Sequence, residues 1–257
     1  MRSLRIPCVS QTPDQHALAP VTLDAAGDSV SHSLAILAKV YHYNHWVFDC
    51  IRPHIGQKVV EVGAGIGNIT QFLLNVEKLV CLEPFEPYFQ YLKRRMAAHL
   101  NVTLCPHRIE DVPNADLPEG GFDTTVCLNV LEHIADDAAA LGRMRQLVSP
   151  GGKVIIFVPA LPVLYGEMDR AMGHIRRYTR PALARLFRQA GLRPTHSRYV
   201  NVVGALGWLW NGRVLRRGRI PESATVAFDR MVPILSALER LIPPLAGQSL
   251  LMVGRPD

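Results

Sequence analysis

Short apolar runs alternate with amphipathic stretches along the middle of the chain. The runs are rich in β-branched and aliphatic residues and are too short for independent helices, so they predict buried strands. They are Val59–Val62, Leu79–Glu83, Phe122–Asn129, Leu147–Pro159 (which opens with a Pro-Gly-Gly turn) and Ser249–Gly254. Strands that alternate with helical segments indicate an α/β fold, in which a mostly parallel sheet is covered by helices on both faces.

The first predicted strand runs into a glycine turn at residues 63–67, Gly-Ala-Gly-Ile-Gly. Glycines let a ligand approach the main chain, and a helix predicted from about Asn68 to Asn75 would point its N–H groups at that ligand. Dinucleotide sites use G-x-G-x-x-G, whereas the spacing here is G-x-G-x-G. Glu61, two residues before the first glycine, would repel a pyrophosphate and suits an ammonium group. The turn therefore favours a nucleotide-like ligand other than a dinucleotide, although such a turn can also be purely structural.

The glycine turn with Glu61 resembles motif I of the class I S-adenosylmethionine methyltransferases. Three further segments are similar to motifs of that superfamily in order and spacing: the second strand ending at Glu83, the fourth strand followed by Val130–His133, and the Pro-Gly-Gly turn at residues 150–152. The match spans residues 58–160. It implies a Rossmann-like fold whose seven-stranded, mostly parallel sheet contains one antiparallel strand. It also implies S-adenosylmethionine as cofactor, with S-adenosylhomocysteine as product.

The resemblance further implies which residues contact the cofactor. Glu61 would hold the methionyl ammonium group, and Glu83 would accept hydrogen bonds from the ribose hydroxyls. Where the family commonly has an aspartate for the adenine, this chain has Arg108. Ile109 would then pack on the adenine face, and Glu110 or Asp111 would take over the contact with its amino group. The positions assigned to the cofactor are Tyr43, Glu61, Gly63, Ala64, Gly65, Glu83, Pro84, Arg108, Ile109, Asn129 and Val130.

Two histidines are candidates for a catalytic base. An acceptor hydroxyl or a protonated amine needs a base whose pKa lies near the working pH, which favours histidine. His133 follows the fourth strand, at the edge where α/β sheets bind ligands, and His174 lies in the loop after the fifth strand. Tyr178 is a third candidate through its hydroxyl group. Each also has a plain interpretation as a capping, packing or exposed loop residue.

The loop after the fifth strand contains a His-x-Arg-Arg-Tyr sequence. This segment resembles one in bacterial methyltransferases related to the ubiquinone-type enzymes, where it helps to form the acceptor pocket. The acceptor-binding residues predicted from it and from the segment that follows are Tyr165, Arg176, Arg177 and Trp208. The two arginines would form bidentate hydrogen bonds with a carboxylate or phosphate group, or would be exposed to solvent without a ligand.

The chain is predicted to consist of one domain preceded by an arm. Residues 1–30 are polar and contain proline, without the apolar core of a signal peptide, and predict a flexible N-terminal arm. Residues 31–257 form the methyltransferase domain. Its predicted parts are helices over the cofactor at 31–57, the S-adenosylmethionine-binding core at 58–160, an acceptor loop and helix at 161–200, a helical insertion at 201–248 and the last strand at 249–257. Among the first helices, Tyr43 or Trp46 would either wall the cofactor pocket or pack on the sheet.

The insertion at residues 201–248 combines apolar runs with arginines. Its run from Val202 to Trp210 is too short to span a bilayer, which takes roughly 20 residues. We interpret the insertion as a lid over the acceptor site. A peripheral membrane contact is the less favoured alternative, because apolar helices with arginines also seek membrane surfaces.

The net charge of +6 and the pI near 9.2 raise the question of nucleic acid. The basic residues are dispersed, and Asn-Val-Leu-Glu at residues 129–132 replaces the Asn/Asp-Pro-Pro-Tyr/Phe signature of nucleobase amino methylation, so a nucleic-acid partner is disfavoured. The five cysteines form no C-x-x-C pair and no cluster with metal-ligand spacing. We therefore expect a reducing cytoplasm and no metal. The oligomeric state is left open.

These features predict a cytoplasmic S-adenosylmethionine-dependent methyltransferase that acts on a small molecule. The preferred methyl acceptor is an oxygen atom of a hydroxyl or carboxylate group, and biosynthesis of specialised metabolites is the expected context. The alternatives are a nitrogen or carbon acceptor, methylation of RNA or protein, and a non-catalytic partner subunit that binds S-adenosylmethionine.

Overall fold

The computed structural model describes residues 36, 38–112, 121–216 and 222–257, and the predicted arm at residues 1–30 lies outside them. The strands are β1 Lys58–Val62, β2 Lys78–Leu82, β3 Val102–Cys105, β4 Phe122–Leu128, β5 Val148–Pro159, β6 Leu192–Val200 and β7 Ser249–Pro256. They form one sheet in the order β3-β2-β1-β4-β5-β7-β6. The paired strands from β1 to β5 are parallel, and β7 is antiparallel to both β5 and β6. The predicted seven-stranded sheet with one antiparallel strand is confirmed.

Helices cover both faces of this sheet, as predicted. They are α1 Tyr41–Ile51, α2 Glu86–Met96, α3 Asp137–Leu147, α4 Glu167–Ala171, α5 Arg180–Gln189, α6 Val202–Trp208 and α7 Glu222–Leu241. One core cluster joins the sheet to α3 and α5, with Phe187 fully buried. A second cluster joins it to α1, α2 and α7 and includes Trp46, Leu92 and Val232. Trp46 therefore packs on the sheet.

The predicted helix from Asn68 to Asn75 is wrong, because only a single 3₁₀ turn, Thr70–Phe72, forms there. Side chains from later in the chain bind carbonyl groups at both ends of this segment. Arg95 Nη1 donates to the carbonyl group of Ile66 (2.9 Å), and Asn101 Nδ2 donates to those of residues 74 and 76 (2.9 and 2.7 Å). These long-range hydrogen bonds satisfy the backbone without a helix.

The Pro-Gly-Gly segment at residues 150–152, predicted as a turn before the fifth strand, lies within β5. Phe122 of β4 pairs with Val148, whereas Thr124 pairs with Lys153, so the register shifts across this segment. The extra residues form a bulge in β5, which glycine accommodates because Gly151 has a φ of +82°.

The insertion at residues 201–248 folds into α6, a π-helical segment at Leu209–Val214, and α7. An acidic side chain of α7 holds the insertion to the body of the domain, and a second one joins its two helices. Asp229 accepts a hydrogen bond from the N–H of Tyr43 in α1 (2.8 Å), and Glu239 accepts one from the N–H of Val202 in α6 (2.8 Å). Among the described residues, no helix has both the length and the apolarity needed to cross a bilayer.

Candidate active site

The glycine turn lies at the carboxyl end of β1, next to the ends of β2 and β4. Gly63 has a φ of +72°, and a Cβ atom at this position would lie 2.3 Å from Cγ2 of Val130. The side chain of Val130 thus packs directly on the turn. The N–H of Gly65 donates to Oε2 of Glu83 (2.7 Å), and the N–H of Phe85 donates to Oε1 (2.9 Å). These contacts bring the predicted ribose-binding acid beside the glycine turn.

Glu61 is buried beneath this turn. Its Oε2 accepts a hydrogen bond from Thr70 Oγ1 (2.7 Å) and a weaker one from Cys81 Sγ (3.7 Å). Burial disfavours the ionised carboxylate and raises the pKa of Glu61 to about 7, although the hydrogen bond from Thr70 counteracts part of this. Glu61 therefore has protein partners of its own in this structure, and both of them use the same oxygen.

The adenine end of the predicted site is more open. Arg108 is exposed and precedes a 3₁₀ turn at Ile109–Asp111, in which Ile109 is buried in the core. Pro84 is exposed beyond the end of β2. The structure brings Arg108 and Pro84 to the surface at the ends of β3 and β2, and it uses Ile109 as a core residue.

A cavity of about 490 Å³ opens at the carboxyl ends of β4 and β5. Its walls come from α1, the loops after β4 and β5, α4, α6 and α7, and most of the lining side chains are apolar. The predicted site residues that line it are Tyr43, Asn129, His174, Arg177 and Trp208. Asn129, with a left-handed φ of 53°, lies immediately before Val130 and thereby connects the cavity to the glycine turn.

Asp169 organises the polar end of this cavity, and sequence analysis did not identify it. The carboxylate has no exposed surface. Its Oδ1 accepts hydrogen bonds from His174 Nδ1 (2.9 Å) and Arg177 Nε (2.7 Å), and its Oδ2 accepts them from Trp208 Nε1 and the N–H of Gly166 (both 3.0 Å). Burial alone would raise the pKa of Asp169, but the hydrogen bond from His174 and the charge of Arg177 outweigh it and lower the pKa. An ionised acid thus holds three predicted site residues together.

His174 is oriented by this carboxylate. Because an ionised carboxylate only accepts hydrogen bonds, Nδ1 of His174 is the nitrogen that donates to Asp169. Nε2 lies on the side of Glu132, 3.9 Å from its Oε1, which is too long for a hydrogen bond. The contact with Asp169 thus engages Nδ1 and leaves Nε2 as the second ring nitrogen of a residue that lines the cavity.

Glu132 is the second site residue that sequence analysis missed, although it lies in the fourth-strand motif. It lines the cavity, has no exposed surface, and neither of its carboxyl oxygens has a hydrogen-bond partner. Burial raises its pKa to about 8, which the positive charge of Arg177 lowers in part. Arg177 itself leaves Nη2 buried without a partner. Buried polar atoms that lack partners at a cavity are the groups a ligand satisfies.

Two other predicted residues stand back from the cavity. The Tyr178 hydroxyl is buried and donates to Asp137 Oδ2 (2.8 Å), and Arg176 forms an ion pair with the same carboxylate (2.6 Å). Both side chains tie the acceptor loop to α3. The structure therefore does not bring Tyr178 or Arg176 to the cavity.

His133 and Tyr165 surround His174 without lining the cavity. His133 Nδ1 lies 3.2 Å from the carbonyl oxygen of Gly173, and its ring meets that of His174 edge-on at a centroid distance of 4.9 Å. Desolvation and the neighbouring His174 lower the pKa of His133, although part of the residue reaches solvent. The Tyr165 hydroxyl donates to the carbonyl oxygen of His174 (2.8 Å) and so fixes the loop that carries the histidine.

Glu132, His133 and His174 together have the atom types of a cation site, which the sequence did not lead us to expect. One ligand atom from each of Glu132, His133 and His174 can be chosen such that all lie within 4.8 Å of one another. One nitrogen of each histidine is engaged, by Asp169 and by Gly173, which leaves the other nitrogen available.

The strand order, the glycine turn at β1 and the acid at the end of β2 define the class I methyltransferase fold. A profile of the methyltransferase domain family matches residues 31–197, which is more than half of the chain. The chain belongs to this family.

Curated relatives are similar over part of their length. A ubiquinone biosynthesis O-methyltransferase of Xanthomonas euvesicatoria pv. vesicatoria is 28% identical over 152 residues, which cover 53% of this chain and 63% of the relative. A tRNA U34 carboxymethyltransferase of Trichodesmium erythraeum is 28% identical over 176 residues, covering 63% of this chain and 49% of the relative. The chain thus spans about half to three fifths of the length of these relatives.

Solved structures confirm the fold. One is a chain from the complex between the Haloferax volcanii Trm112 methyltransferase activator and a methyltransferase (TM-score 0.62, 16% identity, 90% of this chain and 98% of that one). Another is an S-adenosylmethionine-dependent methyltransferase of Mesorhizobium loti (TM-score 0.56, 14% identity, 82% and 97%). At these identities the likeness concerns the fold alone.

Proposed function

We propose that the chain transfers a methyl group from S-adenosylmethionine to a hydroxyl group of a small molecule bound in the 490 Å³ cavity. The observation that carries this proposal is the contact between Asp169 and His174, which leaves His174 Nε2 free at the cavity wall. A hydroxyl acceptor has a proton to lose, and this nitrogen is placed to take it.

The cofactor residues fit the group that the family uses. Glu83 lies within hydrogen-bonding distance of the glycine turn, so the ribose and the methionyl part have adjacent partners at one sheet edge. When bound, S-adenosylmethionine supplies an electrophilic methyl group on a sulfonium. We propose that Glu83 binds the ribose, that Gly63, Ala64 and Gly65 approach the cofactor through their backbone, and that Asn129 and Val130 lie along the methionine tail.

The protein then has to align the acceptor and remove one proton. The cavity residues would hold the acceptor oxygen in line with the methyl group of the bound cofactor, and such positioning contributes much of the catalysis in reactions of this kind. The hydroxyl proton passes to Nε2 of His174, and the ionised Asp169 stabilises the imidazolium that forms. The carboxyl group of Glu132, which has no partner of its own, forms a further hydrogen bond with the methyl-accepting molecule.

The cavity walls favour an apolar acceptor with few polar groups. Met168, Met172 and Phe228 contribute apolar surface, and Trp208 lies beside the base. Arg177 lines the cavity, and Asp169 (2.7 Å from its Nε) already offsets its charge, so its unpartnered Nη2 is left to donate a hydrogen bond to a neutral acceptor group. A hydroxyl acceptor is therefore preferred over a carboxylate.

Two alternatives remain defined by the relatives. A nucleic-acid acceptor, suggested by the name of the tRNA U34 carboxymethyltransferases, requires a polymer to reach His174 past the walls built by α6 and α7. A non-catalytic subunit, suggested by the complex with an activator, would bind S-adenosylhomocysteine and transfer no methyl group. Four thiols of the described residues, Cys50, Cys81, Cys105 and Cys127, are free, which is in keeping with the cytoplasmic setting we propose.

The first test is isothermal titration with S-adenosylhomocysteine, with NAD as control. We expect micromolar binding of the former and none of the latter. Methyl transfer from labelled S-adenosylmethionine is then screened against hydroxyl-bearing small molecules and against tRNA. His174→Gln is expected to lower turnover by about a hundredfold or more while leaving S-adenosylhomocysteine affinity unchanged.

Treatment with a chelator distinguishes a role of His174 as a base from a role as a cation ligand. If EDTA abolishes turnover and a divalent cation restores it, Glu132, His133 and His174 hold a metal, and the proposed role of His174 as a proton acceptor is wrong. Turnover that His174→Gln leaves within threefold of the wild type also contradicts the proposal.

A further inference from the structure

The outer side of the insertion carries an apolar surface that no other part of the described chain covers. Its core is a row of five side chains on α7 and the turn after it, Met231, Ile234, Leu238, Leu241 and Leu245. The first four recur at spacings of three and four residues, which places them on one side of α7, and Leu245 follows after the end of the helix. Ile234 is 67% exposed, Leu241 80% and Leu245 92%. We name this row, with the exposed parts of α6, the insertion surface.

Helix α7 departs from the usual distribution of polar and apolar residues. Its acids Asp229 and Glu239 are buried together with Val232, whereas Met231, Ile234, Leu238 and Leu241 are exposed. Asp229 accepts from the N–H groups at the start of α1, and Glu239 accepts from those at the start of α6 (Asn201 and Val202, 3.0 and 2.8 Å). Since these helix-capping contacts fix which side faces inward, the outward apolar row is a feature of the folded domain and not a result of loose packing.

The insertion surface continues to the mouth of the cavity. Leu206 of α6 lines the cavity and is 65% exposed, and Ala224 of α7 likewise combines cavity lining with exposure. Trp210, in the π-helical segment that follows α6, is also exposed. An apolar surface of this extent next to a ligand cavity marks an interaction site.

Charge indicates what covers this surface. Arg230 and Arg240 are exposed on α7, and Arg216 is exposed just after the π-helical segment. Two acids of α7, Asp229 and Glu239, are buried and do not offset these exposed charges at the surface. A second copy of the chain would bring arginines against arginines. An anionic lipid surface complements them, because arginine pairs with phosphate headgroups while apolar side chains and tryptophan enter the boundary below.

We propose that the insertion surface docks the protein onto an anionic bilayer, with the cavity mouth facing the lipid. Docking of this kind lies in the plane of the interface and requires no membrane-spanning helix. It also gives an acceptor with a lipid-dissolved tail a direct path to the cavity. This last consequence rests on the proposed methyl transfer, whereas the docking does not.

Sedimentation of the full chain with vesicles tests the proposal without measuring activity. We expect binding to phosphatidylcholine vesicles that contain phosphatidylglycerol, little binding to pure phosphatidylcholine, and release when salt is raised to about 0.5 M, because salt screens the arginines. Ile234→Ser with Leu238→Ser is expected to lower binding about tenfold, since both side chains lose their apolar contact with lipid.

Two controls belong to the experiment. Leu100→Ser changes a fully exposed leucine outside the insertion surface and is expected to bind vesicles like the wild type. S-adenosylhomocysteine affinity is measured for every variant. A loss of that affinity concerns the proposed methyl transfer, whereas vesicle binding is measured separately and tests the docking alone.

The docking proposal is overturned if anionic vesicles do not bind the chain, or if Leu100→Ser weakens binding as much as the paired substitution. A dimer seen by analytical ultracentrifugation that the paired substitution dissociates, without vesicle binding, would assign the surface to a second copy of the chain and equally overturn it.

Discussion

Oδ1 of Asp169 lies 2.9 Å from Nδ1 of His174, and this contact decides which ring nitrogen faces the cavity. Trp208 and Arg177 donate to the same carboxylate, so the acid is held from three directions and cannot rotate away from the histidine. Such an arrangement orients a base before the substrate arrives, which is how acid–histidine pairs contribute to catalysis.

The first prediction concerns Asp169→Asn. An asparagine keeps the shape but brings N–H groups toward donors, so His174 loses its fixed tautomer and we expect turnover to fall about a hundredfold or more. Trp208→Phe is the matched control, because it removes one donor to Asp169 and leaves the contact with His174. Its turnover should fall much less. Equal losses in the two variants, or unchanged S-adenosylmethionine turnover in Asp169→Asn, would contradict a positioning role.

Sequence analysis could place the strands because their apolar residues are continuous and short. Val59 and Val60 are both fully buried, one in each core cluster, as a strand covered on both faces requires. The same reasoning failed for residues 68–75, where the ends of the segment are held by the side chains of Arg95 and Asn101, which come from later in the chain and leave no local pattern.

The residues at the proposed cofactor site could also be predicted from the sequence, whereas the acids around His174 could not. Glu83 follows its strand directly, so strand order alone brings it to the glycine turn. Asp169 meets Trp208 across 39 residues, and Glu132 lines a cavity whose walls include residues of α6 and α7, far along the chain. Neither relationship has a local pattern, which is why both acids were missed while His174 was found.

The second prediction concerns the glycine turn. Gly63→Ala places a Cβ atom 2.3 Å from Val130 Cγ2 at a φ of +72°, so it is expected to cost about 1–3 kcal/mol of unfolding free energy and to weaken S-adenosylhomocysteine binding at least tenfold. Gly142→Ala, in the middle of α3 with no heavy atom within 4 Å of the added Cβ, is expected to stabilise the protein by about 0.5–1 kcal/mol. Urea unfolding and titration measure both. A neutral Gly63→Ala variant would show that the turn can relax away from Val130.

The third prediction concerns the attachment of α7 to the body. Asp229→Ala removes the carboxylate that caps the N–H groups of His42 and Tyr43, and we expect a loss of about 1–2 kcal/mol in unfolding free energy. Glu222→Ala removes an acid of the same helix whose ion pair with Lys39 is exposed, so its effect should stay within about 0.5 kcal/mol. If thermal and urea unfolding show equal effects, the cap does not stabilise the contact between α1 and α7.

The last prediction is a pH dependence that comes from Glu61. Burial raises its pKa from 4.5 to about 7, so between these values the folded protein keeps a proton that the unfolded chain has released. The folded state then binds more protons than the unfolded state, and the contribution of Glu61 to stability falls as pH rises from 4.5 to about 7. Below this window both states are protonated, and above it both are ionised, so the contribution is constant outside it.

Glu61→Gln isolates this contribution, because glutamine stays neutral and its oxygen can still accept from Thr70. Unfolding in urea measures the free energy of both proteins. The value of the variant minus that of the wild type should increase as pH rises from 4.5 to about 7 and should be constant above pH 7. Cys81→Ser is a suitable comparison, since it changes the weaker partner of Glu61 and leaves the titrating carboxyl in place. A difference between Glu61→Gln and wild type that is flat from pH 4.5 to 8 would show that Glu61 titrates normally, and that its burial beneath the glycine turn is compensated by contacts other than those with Thr70 and Cys81.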